Sequence, residues 1–173
     1  MHADAADCLD RNRQAMTSSD VAFLRGLPEW VQVGPFTVAH DPAGDHGYVL
    51  HPEDALEELA AVRTPHAIVG HTHWPGYFEV RGAGVDDVST FTFFEEGDVR
   101  TLDKTSRYVL NPGSVGQPRD GDPRASYLEV TETADGAVTV HARRAAYDVA
   151  TTQIRMLLRG YPVDMAVRLS AGQ

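Results

Sequence analysis

The stretch Ala67-Ile68-Val69-Gly70-His71-Thr72-His73 decides how this chain is read. Three apolar residues of strand type lead to a glycine, which lets the backbone turn tightly. Two imidazoles follow, one residue apart. Where a buried strand stops, the chain emerges into solvent, so His71 and His73 stand at a strand-to-loop junction and can converge on one point. Neutral imidazole is the commonest protein ligand for transition metals. A His-x-His pair supplies only half of the usual coordination, and the same residues also read as two surface histidines in a loop.

Upstream, residues 30–33 and 36–40 alternate apolar and polar side chains around Gly34-Pro35, a predicted β-hairpin whose second strand ends in His40-Asp41. A loop over 41–47 carries Pro42, Gly44 and Gly47. Pro52 suits the first turn of a helix over residues 53–62. Ala55, Leu56, Leu59 and Ala60 form its expected buried stripe, with Glu53, Glu57 and Glu58 toward water. The order is strand, loop, helix, strand, with histidine at both strand ends. Ser18, Ser19 and Asp20 offer caps to a short helix over 21–25, whereas residues 1–16 show no partner for a helix face.

Downstream, strands are expected at 76–81, 89–94 and 107–110, followed by loops at 111–116 and 117–124. Strands at 125–131 and 137–143 pair through Asp135-Gly136. Asp148 caps a helix reaching residue 160, with Ala150, Ile154, Leu157 and Leu158 at helical spacing, and a last helix spans 163–169. Without repeats or linkers, residues 1–173 are expected to form a single domain.

The 173 residues are 42% hydrophobic, enough to bury a core. Acidic residues outnumber basic ones 25 to 15, and a net charge of −10 disfavours coating nucleic acid. A bound cation would still present a positive field to a phosphorylated ligand. Cys8 is the single cysteine, which excludes an intrachain disulfide and a thiolate cluster. No apolar run approaches the ~20 residues that cross a bilayer, and no basic residue precedes Arg11, unlike a signal peptide. A cytoplasmic protein with no membrane partner is the expectation.

His40, the pair His71/His73, and the run from Asn111 through Gln117, Pro118, Arg119 and Asp120 to Ala125 together resemble the C-terminal part of the calcineurin-like metallophosphoesterases. The likeness is closest to small bacterial and archaeal members described as phosphodiesterases or protein phosphatases. Gly70-His71-Thr72-His73 matches that superfamily's last metal motif, the run from Asn111 matches a subfamily signature, and Tyr147-Asp148 entering an amphipathic helix matches the usual end. The resemblance covers the chain from about residue 18 onward. It implies an α+β fold, part of a four-layer α/β/β/α sandwich. It also implies a metal-dependent phosphoester hydrolase, a phosphatase or phosphodiesterase in which a metal-bound hydroxide attacks phosphorus. By the resemblance, His40 and His71 ligate one divalent ion and His73 a second. Manganese, iron and zinc suit such donors alike. The substrate would be a small phosphoester or a phosphoprotein.

Three family motifs are missing: no Asp-x-His and no Gly-Asn-His-Asp occurs, and the Gly-Asp pairs at 44–45, 97–98 and 121–122 lie in the wrong part of the chain for the aspartate that bridges the metals. The chain therefore reads as a metallophosphoesterase lacking its N-terminal strands and metal motifs, and His2 does not fit as a remnant of them. Asp41 stands where the family usually has glycine. It reads as a solvent-exposed loop carboxylate, with metal ligation as the alternative. Two cations ~3.5–4 Å apart repel strongly without a bridging anion, so at most one ion is expected, held by three imidazoles only if His73 swings toward the other two. The alternative function is a catalytically incompetent binding or interaction module. Asn111, Gly113 and Ser114 can present amides and polar side chains to a phosphate, a structural turn being the other reading. Arg119 and Arg124 are candidates to attract an anion. His46, His51, His66 and His141 read as surface or structural, and Trp30 and Trp74 as packing residues, with Trp74 near enough to wall a cleft. Missing strands would leave apolar edges open and favour a homodimer.

Overall fold

Residues 107–110, Arg-Tyr-Val-Leu, form the strand around which the fold is layered, because its side chains are wanted on both faces. The computed structural model describes residues 3–41, 43 and 47–173; His2, Pro42, Gly44 and His46 of the sequence reading lie outside the described residues. The elements run α1 (Ala3–Ala15), α2 (Ser18–Arg25), β1 (Trp30–Val33), β2 (Phe36–Ala39), α3 (Pro52–Ala61), β3 (His66–Ile68) and β4 (Pro75–Val80). They continue through a 3₁₀ turn (Val85–Asp87), β5 (Thr92–Phe93), β6 (Val99–Thr101), β7 (Arg107–Pro112), β8 (Ala125–Glu132), β9 (Val138–Ala145), α4 (Val149–Leu158) and α5 (Val163–Ala171).

Six strands form one sheet in the order β1-β2-β3-β7-β4-β5, and three form a second, β6-β9-β8. In the larger sheet β2, β3 and β7 are parallel neighbours, with Phe36 opposite His66 and Ile68 opposite Leu110. A parallel pair needs a crossover connection, and α3 supplies it between β2 and β3.

Alternation along β7 sends Tyr108 and Leu110 into a core between the sheets, with Phe36 and Tyr77 from the larger and Val138 and Val140 from the smaller. Val109 points the other way, into a core where Ala55 and Leu59 of α3 meet Ala67, Phe78 and Val80. Each large side chain fully buried there contributes about 1.5–3 kcal/mol. The stack is thus α3, larger sheet, smaller sheet, a mixed α+β arrangement. The outer face of the smaller sheet is open at Tyr127, Glu129 and Arg143.

Several local expectations are corrected. Residues 3–15 are helical, stabilised by an Arg11–Asp7 pair at 2.7 Å one turn apart and by a bond from the Tyr161 hydroxyl to Asn12. The expected strand at 89–94 shrinks to Thr92–Phe93, and β6 was not foreseen. Asn111 and Pro112 belong to β7 rather than to a loop, because β4 pairs with them through Gly76 and Pro75. Glu58 lies on the buried face of α3, 1% exposed, and its carboxylate accepts the Ala43 N–H at 2.6 Å. Ala60 is exposed instead. Ile154, Leu157 and Leu158 of α4 are exposed rather than packed. Among the described residues no helix is long and apolar enough to cross a membrane.

His66 is 7% exposed, and its Nδ1 accepts the Tyr108 N–H at 3.2 Å. Burial, and secondarily the Arg107 guanidinium, push its pKa down to about 4 from 6.5. As pH falls through that window the unfolded chain takes up a proton that the folded chain refuses. Stability should therefore drop by on the order of 3 kcal/mol between about pH 6.5 and 4. An NMR titration of the His66 ring checks the cause, and a midpoint at the ordinary histidine value would refute it.

Candidate metal centre

Because β2, β3 and β7 are parallel, their C-terminal ends lie along one edge of the sheet, the place where open α/β sheets bind ligands. His40 follows β2, Gly70 to His73 follow β3, and Gly113 follows β7. The ladders run on past the strand ends. Val69 N–H donates to Leu110 O at 2.9 Å, and Gly70 N–H donates to His40 O at 3.0 Å. Glycine at position 70 leaves room for this approach, since a Cβ there would stand 3.1 Å from His40 Nδ1 and 3.3 Å from His40 O.

The next turn is strained. His71 has φ 71° and His73 φ 63°, both in the left-handed region, which costs a non-glycine residue about 1–3 kcal/mol. Buried Thr72 sits between them and both rings line the same cleft. Asn111 holds this conformation from β7. Its Nδ2 donates to Gly70 O and to Thr72 Oγ1, each at 2.8 Å, while its Oδ1 accepts the Gly113 N–H at 2.9 Å. Thr72 Oγ1 also accepts from the Trp74 N–H at 3.2 Å.

His40 and His71 meet edge to face, ring centroids 5.6 Å apart. Tyr48 stacks on His71 with ring centroids 4.2 Å apart. One ligand atom from each of His40, Asp41 and His71 lies within 4.8 Å of the others, and Asp41 Oδ1 is 3.7 Å from His71 Nδ1. Two imidazoles and a carboxylate fit a divalent cation of the manganese, iron or zinc kind.

His73 is held apart from that group. Its Nδ1 lies 2.7 Å from Gln117 O. A carbonyl only accepts, so Nδ1 carries the proton and Nε2 keeps a free lone pair, the arrangement that orients metal-ligating histidines. Burial holds the His73 pKa below its ordinary value; the Gln117 bond opposes this, and Arg119, His40 and His71 add to it. The described ligand cluster is therefore His40, Asp41 and His71, not the three histidines.

The cleft measures about 550 Å³ and is lined by His40, His71, His73, Gly113, Ser114 and apolar residues including Trp30 and Val31. Asn111 is turned inward, 4% exposed, and braces the histidine turn instead of facing the cleft. Ser114 Oγ accepts the N–H groups of Gly116 at 3.2 Å and Gln117 at 2.9 Å. Gly113, at φ 80°, would bring a Cβ to 2.7 Å from Ser126 Oγ. Arg124 is taken up by Asp122 and Glu96, both at 2.6 Å. Trp30 is exposed on the cleft rather than packed, and the Trp74 indole N–H donates to Arg119 O at 3.0 Å. Asp41 is the exposed loop carboxylate that was expected, with an oxygen near the paired histidines, whereas the buried place of Glu58 was not expected. The signal for Glu58 was its place three residues after Ala55 on the stripe that continues to Leu59.

A metallophosphoesterase of Sphaerobacter thermophilus, known as a crystal structure, matches 92% of this chain with TM-score 0.77 and 36% identity. The chain has the calcineurin-like metallophosphoesterase fold. The hypothetical protein PH1004 of Pyrococcus horikoshii shares that fold, with TM-score 0.61 over 90% of this chain at 17% identity. The uncharacterized protein MJ0912 of Methanocaldococcus jannaschii is 31% identical over 105 residues, 61% of this chain. The chain spans 65% and 55% of the two structures and 38% of MJ0912. No protein-family model matches it. Within the metallophosphoesterase fold, the edge described above carries the histidine cleft.

Asn111→Ala strands the partners of three hydrogen bonds, so stability should fall by about 1–3 kcal/mol. Hydrogen exchange at residues 70–73 should quicken with it. Urea denaturation and exchange measured together check this, and unchanged exchange in that turn would remove Asn111 from its bracing role.

Proposed function

We propose that this cleft serves a metal-dependent phosphoester hydrolase, a phosphatase or phosphodiesterase. The observation that carries the reading is the arrival of three imidazoles, from the ends of two adjacent parallel strands, in one cleft. His40 and His71 would hold the cation, and His73, its Nδ1 fixed through Gln117, would present Nε2 to the bound ester. A bound divalent cation supplies Lewis acidity toward a phosphoryl oxygen and lowers the pKa of water.

The chain's own groups then position the ester. The Ser114 oxygen accepts two backbone N–H groups, which fixes the hydroxyl and leaves its proton for a phosphoryl oxygen. Gly113 lets the chain turn close against Ser126 at that wall. Trp30 and Val31 offer an apolar surface to the alcohol portion of the ester. Fields of this kind suit a small phosphoester or a phosphoprotein, and the excess of acidic residues makes cation loading a condition for anion binding.

The test is hydrolysis of p-nitrophenyl phosphate and bis(p-nitrophenyl) phosphate by the full chain with manganese. Turnover should vanish with chelator and return on metal addition. His71→Ala should lower kcat/KM by more than the ~10–100-fold typical of losing a group that only orients a ligand. Stoichiometric metal with no turnover on either ester would reject hydrolysis in favour of a binding module.

A further inference from the structure

We infer that Asp41 is a direct metal ligand, which with His40 and His71 makes a three-donor site for one cation that needs no bridging carboxylate. This rests on the metal-dependent reading above. The ligand atoms of these three residues already lie within 4.8 Å of one another. Donors ~2.0–2.2 Å from a common ion stand roughly 3–3.5 Å apart, so small side-chain rotations close the site.

The 3.7 Å between Asp41 Oδ1 and His71 Nδ1 is too long for a hydrogen bond. Asp41 is therefore not spent on orienting the His71 ring, a task that the Tyr48 stack performs at 4.2 Å. Its backbone is tied on both sides. His40 O accepts the Gly70 N–H at 3.0 Å, and Ala43 N–H donates to the buried Glu58 carboxylate at 2.6 Å. Glu58 thus anchors the segment that carries Asp41 without itself reaching the cleft.

Charge points the same way. Two imidazoles ligate as neutral groups and leave a divalent cation uncompensated; Asp41 supplies one negative charge in contact with it. With its side chain 75% exposed, the carboxylate gives up little hydration beforehand. Three protein donors leave further coordination positions open, as a site that works on a ligand requires. His73 lies outside this group of ligand atoms.

The experiment is titration of the metal-free full chain with Co²⁺, followed by calorimetry and by visible absorption, with no ester present. One ion per chain is expected. Asp41→Asn and Asp41→Ala should weaken binding by at least about tenfold and change the cobalt spectrum. Unaltered thermal unfolding of the metal-free Asp41 variants shows that the fold is intact. If His40→Ala abolishes binding but Asp41→Ala leaves affinity and spectrum as they were, the role of Asp41 is overturned and the hydrolase reading stands. If the native chain takes up no ion, or neither variant changes its binding, both fall.

Discussion

One buried side-chain amide, that of Asn111, links the end of the central strand to the turn after its neighbour. Through Gly70 O and Thr72 Oγ1 it holds two histidines in a backbone conformation that they would not adopt alone. The bonds can be made because β7 and β3 are adjacent and in register, Ile68 beside Leu110. Packing on both faces of β7 therefore reaches the cleft as geometry. Tyr108, Val109 and Leu110 fix the strand, Asn111 extends it by one residue, and that residue shapes the turn that bears His71 and His73.

The electrostatic situation complements this geometry. A strongly acidic chain carries a cleft in which His73 is partnered by Gln117 and His71 by Tyr48. Asp41 brings a carboxylate oxygen to 3.7 Å from His71 Nδ1. Arg124 is already neutralised by Asp122 and Glu96, and Arg144 by Asp120. A positive field inside the cleft would therefore come from a bound cation together with Arg119, whose charge already reaches His73.

Much of this was legible beforehand, for reasons that can be named. The order strand, loop, helix, strand follows from apolar periodicity and from Pro52, and the histidine motif sits where a strand had to end. Other features were hidden because their causes are remote. Helix α1 has little amphipathic pattern, and one bond that ties it down reaches from Asn12 to Tyr161. Glu58 looked like one more solvated glutamate, since one partner, the Ala43 amide, lies 15 residues earlier in the chain. The apolar residues of α4 suggested burial by pattern, yet exposure depends on what lies opposite, which spacing does not record. Asn111 read equally well as a phosphate contact or as a turn; the strand pairing of β4 with β7 turned it inward.

By itself the sequence determined which groups are available: three histidines at strand ends, one carboxylate after the first of them, and glycine where backbones must approach. Local alternation and turn chemistry fix such features within a few residues. Only the tertiary structure decided that β2, β3 and β7 lie side by side in parallel, that Asp41 joins His40 and His71, and that His73 stands apart with Gln117. Those outcomes depend on hydrogen bonds and packing between segments some thirty or more residues apart in the chain, and no local periodicity carries that information.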